Sequence, residues 1–152
     1  MKYYNWDLNI LKIDNKVCRI NFNFNRRDLT IVTGDSGTGK TYITEFLNEA
    51  MGADSYLDDG RTEGIFILDR KNKISFINGD VKHCLVIIDR GDIFLGDKGI
   101  LDAINRDYGN NRYLIFMRKS VDIRATPNNI AEVVNNNGTL ELYYKYNVEG
   151  WF

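Results

Sequence analysis

One run of eight residues constrains this chain more than any other: Gly34, Asp35, Ser36, Gly37, Thr38, Gly39, Lys40 and Thr41. It spaces a glycine, four free positions, then Gly-Lys-Thr. The residues before it, Leu29 to Thr33, are apolar and β-branched and read as a buried strand. Those after it, Tyr42 to Met51, read as a helix that Gly52 ends. Glycines let the backbone curl without Cβ clashes, so successive N–H groups can point into one concavity. The following helix adds the partial positive charge of its N-terminus. Such a segment is a cradle for phosphate set at the end of a buried strand.

Gly34, Gly39, Lys40 and Thr41 resemble the corresponding positions of the P-loop NTPase superfamily. The strict motif covers eight residues, and a looser resemblance runs from about Leu29 to Ser120. The resemblance implies an α/β fold, three-layered, with a mostly parallel central sheet, here preceded by an N-terminal β-hairpin. It implies ATP and magnesium as cofactors. The phosphates would lie against Gly34 to Thr41, with Tyr42 beside them. Lys40 would reach the β- and γ-phosphates, and Thr41 would offer its hydroxyl to magnesium.

Hydrolysis needs magnesium held and water activated. The run Cys84 to Ile88 is apolar throughout, as for a strand buried on both faces, and it ends in Asp89. This resembles the Walker B segment, which makes Asp89 the second metal ligand. Many ATPases of this type carry a glutamate next, where this chain has Arg90. Asp92 is either a substitute base or an ordinary loop acid. Arg118 follows the apolar run Tyr113 to Met117, with Lys119, Ser120 and Arg124 close by. It is either a sensor of the γ-phosphate or part of a solvated basic loop. The candidate catalytic set is thus Lys40, Asp89, Asp92 and Arg118.

A GTPase is disfavoured. No Asn/Thr-Lys-x-Asp segment is present, Asp92 occupies the place where a glycine is wanted, and the chain has no glutamine. The last absence also speaks against an ABC transporter subunit. Small-molecule kinases share the Gly34 to Lys40 pattern, but no insertion of lid length is visible. The order of elements resembles the additional-strand ATPases, and that implies the Tyr113–Met117 strand between Leu29–Thr33 and Leu85–Asp89.

Elsewhere, Leu8 to Ile13 and Val17 to Phe24 partly alternate and read as the hairpin, with Asp14 to Lys16 as its turn. Ile65 to Leu68 and Ile74 to Ile77 read as strands with Asp69 to Lys73 as the turn between them, and Lys98 to Tyr108 as a helix with Ile100, Leu101 and Ile104 on one face. A short helix is expected from Pro127 to Val134, then a turn over Asn135 to Gly138 and a strand from Thr139 to Tyr146. No repeat or linker divides residues 1–152, so one domain is expected.

Net charge is −1, so no global basic field indicates nucleic acid. Cys18 and Cys84 lie in strand-like runs and read as buried free thiols, which suits a reducing cytoplasm. No stretch suggests a membrane span or signal peptide. His83 has no partner for a metal. Abundant Asn, Lys and Ile hint at an AT-rich bacterial or phage genome. Trp151 and Phe152 either pack on the domain or dock a partner. The expected function is ATP binding, with magnesium-dependent hydrolysis coupled to a protein partner or to self-association. The alternatives are a nucleotide-binding switch with little turnover, or a small-molecule kinase.

Overall fold

The computed structural model describes residues 3–14, 19–33, 61–62, 64–118, 123 and 125–144. The segment from Gly34 through Thr41 and on to Met51, together with Cys18, Lys119, Ser120, Arg124, Trp151 and Phe152, lies outside the described residues.

In chain order the strands are β1 (Tyr4–Asn5), β2 (Ile10–Asp14), β3 (Arg19–Asn23), β4 (Leu29–Val32), β5 (Arg61–Thr62) and β6 (Ile65–Ile67). They continue with β7 (Leu85–Ile88), β8 (Arg112–Phe116), β9 (Ile130–Asn136) and β10 (Thr139–Tyr144). The helices are α1 (Lys73–Ile77), α2 (Gly91–Phe94) and α3 (Lys98–Arg106). All the described strands join one ten-stranded mixed sheet, in the order β1-β2-β3-β10-β9-β4-β8-β7-β6-β5.

Its middle is parallel: β9, β4, β8, β7 and β6 run side by side in one direction. Every residue of β4, β7 and β8 is buried, as strands apolar but for Thr30 and Arg112 require. The expected placement of β8 between β4 and β7 is met. Towards the other end, β1, β2 and β3 run antiparallel, β9 and β10 form a hairpin, and β3 joins β10 in parallel.

The three-layer expectation is overturned. The described residues form a mostly β, barrel-like sheet with three short helices. One face of the parallel strands packs under the helices, through Phe76, Ile100 and Ile104 against Val86, Ile88, Tyr113 and Ile115. On the other face Val32, Leu85, Ile87, Leu114 and Phe116 share a core with Tyr4, Leu11, Ile13, Ile20 and Phe22 of β1 to β3. Strands therefore cover apolar area where the three-layer reading expected helices. The N-terminal hairpin is not an accessory but part of the sheet itself. With that, the resemblance to the P-loop NTPase superfamily does not carry over to the fold. What stands of it is a local motif and a strand order.

The sheet closes towards itself through a buried polar contact. An Arg112 Nη1–H of β8 donates to the Tyr4 hydroxyl at 2.9 Å, and Tyr4 donates to Asn9 Oδ1 at 2.6 Å. Asn9 in turn donates to the carbonyls of Phe24 and Arg26. The Arg112 guanidinium carbon lies 3.8 Å from the Trp6 ring centre, a cation–π contact.

Two local expectations also change. Ile74 to Ile77, read as a strand, lies in α1. The helix expected from Pro127 to Val134 is a single 3-10 turn, Pro127–Asn129, followed directly by β9. Asn129 ties that turn to β4 by donating to the Leu29 carbonyl at 2.8 Å, which sets β9 beside β4. The turn over Asn135 to Gly138 is as expected. Asn137 and Gly138 both take positive φ, 54° and 91°, the pairing that suits a two-residue hairpin turn. The helix α3 buries Ile100 and Ile104, and Cys84 is a buried free thiol, as expected.

Candidate functional site

Parallel strands put all their carboxyl ends on one edge, and the register fixes what meets there. Ile31 pairs with Ile115 and Val32 with Phe116, while Ile88 also pairs with Ile115. Asp89 is therefore level with Phe116 and Val32, one residue before the chain enters Thr33 and Gly34. Two strand spacings separate β7 from β4, about 10 Å. Hydrogen bonds extend this edge beyond the strands: Met117 N–H donates to the Val32 carbonyl at 3.1 Å, and Thr33 N–H to the Ala131 carbonyl at 3.3 Å.

Asp89 is half-buried and its carboxylate accepts the Arg90 N–H at 2.9 Å. Arg90 stands in the left-handed region, φ 55° and ψ 52°, an uncommon conformation for a residue with a side chain. It turns the chain sharply from β7 into α2. Gly91 then packs against β8 so closely that a Cβ there would lie 2.6 Å from Ile115 Cγ2 and 3.2 Å from the Phe116 carbonyl oxygen. The turn carrying Asp89 is thus wedged against the end of β8. Arg118 is exposed just beyond β8. Asp92 is half-buried in the first turn of α2.

The structure thus brings Asp89, Asp92 and Arg118 to the edge where β4 ends. Lys40, Thr41, Tyr42 and the rest of the motif from Gly34 to Gly39 lie outside the described residues, and the structure does not test their roles. Among the described residues no group of three or more His, Cys, Asp or Glu gathers as a metal cage. Asp89 is a single carboxylate at this edge, and magnesium usually takes one or two, with phosphate oxygens and water completing its shell.

His83 does not belong to this edge. It is exposed, with φ 58°, and its ring stacks on Trp6 at 4.0 Å, before β7 begins. At that same end, Asp107 accepts hydrogen bonds from the Tyr113 hydroxyl, Asn110 N–H and Asn111 Nδ2. Sequence reasoning missed this buried network, because its members are ordinary polar residues at unrelated spacings.

The turn expected over Asp69 to Lys73 is present at the end of β6. Asp69 Oδ1 accepts from the N–H groups of Lys71 and Asn72 at 2.7 and 2.8 Å, and Asn72 reaches back to the Ile67 carbonyl.

No protein-family model matches the chain, and neither a curated protein nor a solved structure matches it. Among the described residues no helix is long and apolar enough to cross a membrane.

Proposed function

We propose that this protein binds a magnesium–nucleoside triphosphate at the carboxyl edge of β4, β8 and β7. Gly34 to Thr41 would hold the phosphates and Asp89 would face the metal from across the edge. The observation that carries this reading is the alignment of strand ends, which sets Val32, two residues before the motif, level with Asp89 and two strand spacings, about 10 Å, away. The Thr41 hydroxyl and Asp89 would hold the magnesium, with phosphate oxygens and water completing its shell. Lys40 neutralises phosphate charge, and Arg118 stands where it can do the same for charge building on a transferred phosphoryl. ATP is preferred over GTP because the segments that read guanine are absent. When bound, magnesium would polarise the terminal phosphate; the chain's own part is to fix the phosphates and exclude alternative geometries.

Turnover needs a base to orient water. Arg90 occupies the position after Asp89, and its left-handed backbone is committed to the turn. That favours the reading of a nucleotide-binding switch, with slow hydrolysis resting on Asp92. A protein partner or a second copy would then read the bound state.

The test is equilibrium binding of ATP with and without magnesium. Lys40→Ala removes a charge-assisted contact and should weaken binding about tenfold to a hundredfold. Asp89→Asn should leave metal-free affinity nearly intact and reduce the gain from magnesium. Unchanged ATP affinity in Lys40→Ala would sink the assignment. Phosphate release from Mg-ATP, with Lys40→Ala as baseline, separates an ATPase from a switch.

A further inference from the structure

Beside the Asp89 turn, on its β6 side, lies a second concavity of about 570 Å³. Arg70, Lys73, Arg90, Ile93, Phe94 and Asp97 line it, over the buried Ile100. Three cations face one carboxylate. Asp97 is engaged with Lys73 at 3.1 Å, and its other oxygen caps α3 by accepting the Gly99 N–H at 2.9 Å. The guanidinium groups of Arg70 and Arg90 make no hydrogen bond or ion pair among the described residues. Both are presented by rigid turns: Arg70 by the Asp69–Asn72 turn, Arg90 by its left-handed backbone. Ile93, 59% exposed, and the half-buried Phe94 give the concavity an apolar wall.

We propose that this concavity binds a small organic anion, a phosphate or carboxylate carried on an apolar body. The two unengaged guanidiniums would grip the anionic group, with planar forks suited to either oxyanion. Ile93 and Phe94 would cover the apolar part. The volume lies in the range of small-molecule sites, whereas a protein partner needs a broader and flatter face. The proposal does not rest on the Gly34–Thr41 motif binding a nucleotide.

Amide NMR of the full chain titrated with phenyl phosphate tests it. Saturable shifts are expected at Arg90 to Ile100, unchanged in Lys40→Ala. Benzyl alcohol, which has the ring without the charge, should bind at least about tenfold more weakly. Arg70→Gln combined with Arg90→Gln, both exposed positions, should lose affinity by at least the same factor. A parallel titration with phenylacetate tells a phosphate site from a carboxylate site by which probe binds more tightly. Failure to saturate by about 10 mM for both anions would overturn the proposal, since that corresponds to under about 3 kcal/mol of binding. Equal binding of benzyl alcohol, or shifts that vanish in Lys40→Ala, would overturn it as well.

Discussion

The side chain at position 91 shows how one atom can hold a site. Gly91 has no room for a methyl group, because Ile115 and the Phe116 carbonyl close on it from β8. Gly91→Ala should destabilise the protein by about 1–3 kcal/mol, the usual penalty for overpacking. It should also shift the Asp89 carboxylate, so magnesium-dependent nucleotide binding should fall more than stability alone explains. A urea midpoint and an ATP titration on the same variant would separate the two. Asp89 itself was legible in sequence as the carboxylate that ends an apolar run. The left-handed Arg90 and the tight Gly91 were not. Arginine carries no signal for that conformation, and the constraint on Gly91 comes from a strand more than twenty residues away.

At the scale of elements, the runs with a clear pattern were read correctly, the three-residue β6 among them, while α1 and the seven-residue β9 were not. β7 is a continuous apolar run, β4 and β8 are apolar but for Thr30 and Arg112, and α3 repeats its buried residues at helical spacing. Ile74 to Ile77 places apolar residues at both ends and one between, and four residues cannot distinguish a period of two from one of 3.6. Around Pro127, helix-start chemistry is present, but pairing with β4 takes the chain into a strand after one turn.

The start of α3 offers an element-scale prediction. Its cap, Asp97, has its pKa lowered from 3.8, first by the hydrogen bond from Lys73 and then by the Gly99 N–H. A carboxyl with a depressed folded pKa stabilises the fold above its unfolded value and loses that contribution as pH falls through the folded one. Asp97→Asn keeps a capping oxygen and loses the charge. It should lower the urea midpoint at neutral pH, and the gap to the parent should close as pH drops below 3.8. A gap independent of pH would mean that the charge contributes nothing.

For the whole molecule, the curl of the sheet was the part hidden from sequence. Nothing local says that β3 pairs with β10, or that Arg112 reaches Tyr4 across 108 residues. These are non-local pairings between segments that each read as ordinary strands. Tyr4→Phe removes the hydroxyl that Arg112 and Asn9 share, leaving buried polar groups without it. The loss should be about 1–3 kcal/mol. Thermal unfolding should therefore begin several degrees lower, at about 2–4 °C per kcal/mol for a chain of this size. No change in melting temperature would show that the contact does not hold β1 against β8.

The central claim is one of place: a metal–triphosphate complex at the carboxyl edge of β4, β8 and β7. Manganese in place of magnesium, added with ATP, broadens amide signals near the bound ion. The account predicts that Asp89, Arg90, Met117 and Arg118 broaden together, while Asn110 and Asn111 at the opposite edge stay sharp. Broadening centred on that opposite edge, or none at saturating ATP, would contradict it.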